Sequence, residues 1–80
     1  MKVYDEQKNL IQVICNNCGK QLLVEHGMLK DAAFEGKQTF GYFSKKDGQT
    51  HMFDLCEACY DKMTEKFQIP VSKKDETELL

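Results

Sequence analysis

The chain has no arginine and no tryptophan, and Pro70 is its one proline in 80 residues. All its basic residues are therefore lysines, eleven against thirteen acids, for a formal charge of −2. Without arginine the best bidentate reader of guanine and phosphate is missing. The acidic balance argues against general attraction to nucleic-acid backbones, which needs a basic surface. A local lysine patch is compatible with both facts. No apolar run approaches the ~20 residues of a membrane span, so no membrane partner is expected. The stretch Met1-Lys2-Val3-Tyr4-Asp5-Glu6 lacks the apolar segment and small-residue cleavage site of a signal peptide. The expected compartment is the cytoplasm, where thiols stay reduced and open to metal.

Core-forming capacity is also scarce. Eighty residues make one domain, and at this size a hydrophobic core rarely supplies more than ~3–5 kcal/mol. What the chain does have is four cysteines, all in two Cys-x-x-Cys pairs: Cys15-Asn16-Asn17-Cys18 and Cys56-Glu57-Ala58-Cys59. Four thiolates so paired are what a tetrahedral structural Zn2+ site needs, one ion per chain. Structural zinc contributes an apparent ~10–16 kcal/mol in finger peptides at neutral pH, so a bound ion would decide whether the chain folds. Two such pairs also suit iron. Disulfide or dithiol redox chemistry is a further option, although a thioredoxin-like site needs a βαβ frame and a single motif. His26 and His51 are not expected as ligands, because four cysteines already close a tetrahedron.

The local patterns place these pairs on elements. Residues 1–9 are polar and read as a flexible N-terminal arm, with Val3 and Tyr4 as the residues able to pin it. Residues 10–14 and 21–25 read as two short strands forming a hairpin with the first cysteine pair at its tip. Residues 26–36 fit one or two helical turns over residues 28–34, held short by Gly27 and Gly36, or a loop. Residues 37–44 and 49–55 read as strands joined by a tight turn at Asp47-Gly48. His51, Phe53 and Leu55 alternate with Met52 and Asp54, which predicts one buried face. A helix is expected from about residue 55 to 67, with Asp54 as N-cap and Glu57 completing a capping box. Cys59, Met63 and Phe67 share one face of it, and Pro70 stops the pattern. Residues 71–80 read as a charged, frayed C-terminal tail, leaving residues 10–70 as the folded domain.

Gly19 follows the first pair, where a metal knuckle needs positive φ, and Asn16 and Asn17 tolerate tight turns. The second pair falls on the first helical turn, whose free N–H groups and dipole favour thiolate. On the stretches Ile14-Cys15-Asn16-Asn17-Cys18-Gly19-Lys20 and Phe53-Asp54-Leu55-Cys56-Glu57-Ala58-Cys59-Tyr60 the chain resembles the treble-clef zinc fingers. That resemblance implies a small α+β zinc-stabilised domain: a zinc knuckle, β-hairpins and a C-terminal helix. It implies Cys15, Cys18, Cys56 and Cys59 as the ligands. The 37 residues between the pairs exceed the minimal motif and imply an insertion around residues 26–36. Residues 41–71 are also similar to small bacterial zinc-binding proteins with a C-E-x-C-Y helix start, a likeness that brings no activity with it.

A filled four-sulfur shell leaves zinc no open position for a catalytic water, and no nucleophile–base pair, phosphate loop or carboxylate pair stands out. The expectation is a non-enzymatic, zinc-stabilised binding module with a protein partner. Nucleic-acid binding is the alternative, raised if Lys20, Lys37, Lys45 and Lys46 share a face. A thiol-based redox or metal sensor is a second alternative. Phe40, Tyr42, Phe43 and Phe53 are expected in the core, against a competing reading as a stacking platform for bases. Lys45 and Lys46 read as solvated turn residues, and Lys73 and Lys74 are offset by the acids that follow.

Overall fold

Residues 10–14 are rich in β-branched and aliphatic side chains, a composition that fits a pleated, half-buried surface. In the computed structural model, which describes residues 1–76, they form the central strand of a three-stranded sheet. The elements in chain order are β1 (Lys2–Tyr4), β2 (Leu10–Ile14), β3 (Gln21–Leu22), β4 (Val24–Glu25), β5 (Met28–Leu29), β6 (Ala33–Thr39), β7 (Thr50–Cys56) and α1 (Glu57–Glu65). The strands pair antiparallel in three sheets: β1-β2-β3, β4-β5 and β6-β7. The chain is a small α+β protein whose one helix, among the described residues, follows the last strand. No helix there is long and apolar enough to cross a membrane.

The loose arm expected at residues 1–9 is not what forms. β1 pairs with β2, Lys2 opposite Val13 and Tyr4 opposite Leu10. The connection is a turn built by Asp5, whose carboxylate accepts the N–H groups of Gln7 and Asn9 at 2.9 Å each. Lys8 closes it at φ +66°. An aspartate bonding its own backbone two residues on is turn chemistry, and it returns the chain onto β2.

Residues 26–36 make neither helical turns nor an open loop. β4 and β5 form a hairpin with His26 and Gly27 at its tip, both at positive φ (51° and 75°), the backbone that two-residue hairpin turns demand. The strand expected at residues 21–25 is split at Leu23, whose N–H turns to the Asp31 carboxylate at 2.8 Å.

β6 and β7 pair from Ala33↔Cys56 to Thr39↔Thr50. The turn joining them is wider than Asp47-Gly48 alone implies. Residues 40–49 form a loop closed by Phe40 N–H to Gln49 C=O (2.9 Å) and Gly48 N–H to Phe40 C=O (3.1 Å). Gly48, at φ +89°, ends the loop instead of forming a two-residue turn.

The expected burial of this hairpin is also corrected. Thr50 to Phe53 are exposed on both faces of β7, and only Asp54, Leu55 and Cys56 are buried. Tyr42 and Phe43 are almost fully exposed, Phe53 is at the margin and Phe40 is half-buried. The four aromatics are not core, because the hairpin runs past the end of the body and nothing packs against its outer half. Phe53 lies over Gly36, its cross-strand partner. A Cβ at residue 36 would stand 2.6 Å from Phe53 Cζ. Gly36→Ala is expected to displace that ring and cost about 1–3 kcal/mol, read as a lower Tm. The cost should largely vanish in a Phe53→Leu background; an equal cost in both backgrounds would deny the contact.

The helix begins later than the sequence pattern indicates. Cys56 is its N-cap, with no side-chain cap hydrogen bond, so the assignment of Asp54 as N-cap and the capping box with Glu57 are both incorrect. The reason is that β7 continues through Cys56 and holds Asp54 in a strand. The helix ends at Glu65, before Phe67, which is left exposed. Residues 71–76 carry no helix or strand; the rest of the expected tail, residues 77–80, lies outside the described residues.

The core is Val13, Cys15, Leu22, Leu55, Cys56 and Cys59, with Leu10, Val24, Leu29, Phe34 and Met63 packed against it. Half of the fully buried apolar side chains are cysteines. The body is thus a thin aliphatic shell around a group of sulfurs.

Candidate metal centre

The first cysteine pair sits in the turn between β2 and β3. Cys15 N–H donates to Lys20 C=O (2.9 Å) and Gly19 N–H to Cys15 C=O (3.0 Å). Gly19 takes φ +80°, the left-handed conformation that glycine adopts without steric cost. The chain is thereby reversed tightly enough for Cys18 N–H to point at the Cys15 sulfur, 3.5 Å away. The second pair straddles the β7–α1 junction: Cys56 ends the strand and caps the helix, and Cys59 lies within the first helical turn.

The fold brings all four sulfurs together. Every Sγ of Cys15, Cys18, Cys56 and Cys59 lies within 4.8 Å of the others, and Cys18 and Cys56 are 3.8 Å apart. An ion bonded to four sulfurs at ~2.3 Å places them about 3.8 Å apart along a tetrahedral edge. A disulfide needs ~2.05 Å, and all four cysteines are free. Three are buried and Cys18 is exposed at the rim. The four are positioned to bind one metal ion. His26, at its hairpin tip, and His51 stand outside the cluster; the His51 ring instead meets Gln49 Oε1 at 3.0 Å.

The thiols do not share ionisation equally. Burial opposes charge on Cys15, but N–H groups from Cys18, Cys56 and Asn17 outweigh it and bring its pKa down to about 6. At Cys59 the Asn17 amide favours the thiolate, yet burial and the thiols of Cys56, Cys18 and Cys15 push it up to about 11. Negative charge is favoured on Cys15 and resisted on Cys59. A divalent cation removes that conflict, since thiolates, not thiols, are the ligands.

Two residues valued in the sequence only for turn tolerance prove to join the halves of the site. Asn16 clamps the knuckle to β7: its N–H donates to Asp54 C=O (2.7 Å), and its Oδ1 accepts Asp54 N–H (2.9 Å). Asn17 Nδ2 donates to Cys59 Sγ at 3.2 Å. An amide between two Cys-x-x-Cys cysteines is the signal that was available. Outer-shell partners of this kind alter metal affinity ~10–100-fold. Asn17→Ala should weaken metal binding by that order in competition with a chromogenic chelator, with the fold intact at saturating metal. Unchanged affinity would show the bond to Cys59 is idle.

No protein-family model, curated protein or solved structure matches this chain, so the site is read from its own chemistry.

Proposed function

We propose that the chain is a zinc-stabilised, non-enzymatic binding module of the treble-clef kind, acting in the cytoplasm. The observation that carries this reading is the closed four-sulfur cluster at the junction of the knuckle, β7 and α1. Zinc there would be held by Cys15, Cys18, Cys56 and Cys59. Bound, it would supply a cross-link between the knuckle and the helix start. A complete thiolate tetrahedron leaves no position to activate water, which supports a structural role. The knuckle, the hairpin and the helix start that carries the second pair support the treble-clef comparison.

The element this cross-link would hold in place is the β6–β7 hairpin, which ends in Cys56. Its outer end leaves Tyr42 and Phe43 almost fully exposed, and it is the surface assigned here to a macromolecular partner. X-ray absorption at the zinc edge tests the structural role: four sulfurs near ~2.3 Å and no light-atom ligand are expected. An oxygen or nitrogen in the first shell would open the ion to water and reject it.

A further inference from the structure

The loop at the end of the β6–β7 hairpin carries the most exposed rings of the chain. Tyr42 is 84% and Phe43 99% exposed. They meet edge to face, centroids 5.3 Å apart at 66°. Beside them Phe40 is engaged: Lys46 Nζ lies 4.5 Å from its ring centre, and the His51 ring meets it edge-on at 5.0 Å. Polar side chains behind the tip are bonded among themselves. Thr39 and Thr50 hydroxyls are 2.9 Å apart, and Ser44 Oγ accepts Lys46 N–H at 2.9 Å. The tip therefore has internal support without covering its two outer rings.

Charge is uneven as well. Residues 37–51 contain Lys37, Lys45 and Lys46 against Asp47 alone, while the rest of the chain carries the acidic excess. An anionic partner is drawn to this end of the molecule and repelled by the remainder. Hydrated rings beside cations match a partner that offers flat apolar faces and regularly spaced negative charge.

We propose that this tip docks single-stranded nucleic acid, with bases stacking on Tyr42 and Phe43 and phosphates meeting Lys45 and Lys46. Every base has a π face, so such stacking is tolerant of sequence. A duplex hides those faces, and with no arginine the tip has little to read in a groove. A lipid surface is a poorer match: the apolar area is two rings wide, Asp47 stands among the lysines, and no amphipathic helix adjoins it. The inference rests on the reading of this chain as a binding module.

The test is fluorescence anisotropy with labelled 12-nucleotide oligo-dT and oligo-U and a 12-bp duplex. Single strands should bind more tightly than the duplex. Binding should weaken roughly sevenfold between 0.05 and 0.2 M salt, as two phosphate contacts on a single strand require. Tyr42→Ala and Phe43→Ala should each weaken binding roughly tenfold. Lys45→Gln should cut the salt effect to roughly threefold. Metal content and circular dichroism, measured on the same samples, should not change, because these side chains support nothing in the body. With both intact, the inference is overturned by absent single-strand binding, by binding indifferent to the tip substitutions, or by tip-dependent binding to phosphatidylglycerol vesicles in its place. Those results leave the metal-stabilised module standing; that reading falls on metal content instead.

Discussion

Cys59→Ser, or removal of the metal by a chelator, is expected to unfold the chain. The six most buried apolar positions include three of the cysteines, leaving Val13, Leu22 and Leu55 as the fully buried aliphatic residues. A core of this size is worth no more than ~3–5 kcal/mol, well below the ~10–16 kcal/mol of a structural zinc site. Without the ion, the four sulfurs face one another with no cation between them, and nothing covalent ties the knuckle to α1. Far-ultraviolet circular dichroism should lose its native form on chelation and regain it when zinc is restored. Cys18→Ser, at the exposed rim, should weaken metal binding while costing less packing than Cys59→Ser. A chelated protein that keeps a dispersed amide spectrum would show that the aliphatic shell folds alone.

Asp54→Ala is expected to cost about 3 kcal/mol, more than loss of a helix cap. Its carboxylate is 8% exposed and holds Lys2 Nζ at 2.6 Å and the Met1 ammonium at 2.9 Å. Lys2 also reaches Glu35 at 2.7 Å. Two hydrogen bonds to charged groups are lost, at about 3 kcal/mol, with Lys2 still held by Glu35 and the ammonium open to water, whereas an N-cap is worth ~0.5–2 kcal/mol. At about 4–8 °C per kcal/mol for a domain of this size, Tm should fall by more than ten degrees. The double variant Lys2→Met/Asp54→Leu should recover part of the loss, since it removes the Lys2 charge together with its carboxylate and leaves only the half-exposed Met1 ammonium and the exposed Glu35 without a partner.

The pH dependence of this pair follows from the shifts of its members. Burial works to raise the Asp54 pKa, but Lys2 and the N-terminal ammonium outweigh it and hold the group below the usual aspartate range. Its contribution is complete above ~3.9 and is lost as pH falls through the lowered folded value. Burial likewise works to lower the Lys2 pKa, and Asp54 and Glu35 overcome it to raise the group. That contribution is complete below ~10.4 and is lost as pH rises through the folded value. The stability gap between wild type and Asp54→Ala should therefore be flat between about pH 5 and 6.5, above the aspartate range and below the ordinary range of an α-ammonium. A gap below about 0.5 kcal/mol, or one that changes across that window, would contradict the pairing.

The cysteine spacing, Gly19 and the strand at residues 10–14 were legible because each is a local requirement: ligand geometry, positive φ, and β-branched packing. Asp54 was misread for a physical reason. Asp followed three residues later by Glu is a local capping signal, and it lost to a long-range ion pair with Lys2 that no window around residue 54 contains. β1 was missed in the same way, since its partner is β2 across the Asp5 turn. The β4–β5 hairpin was hidden because His26, not a second glycine or asparagine, takes the first left-handed position. The aromatics at residues 40–43 were placed in the core because composition does not show that a hairpin outruns the body it leaves. That last error matters most for function, since it turns two expected core rings, Tyr42 and Phe43, into an exposed tip.

The central claim is that one metal ion, held by four thiolates, makes this fold. Native mass spectrometry of the protein as purified, followed by the same measurement after acid denaturation, tests it most directly. The account predicts one zinc per chain in the native ion, four reduced cysteines after denaturation, and a narrow charge-state distribution that broadens when the metal is lost. A folded, metal-free chain carrying two disulfides, or one carrying iron in place of zinc, would contradict it.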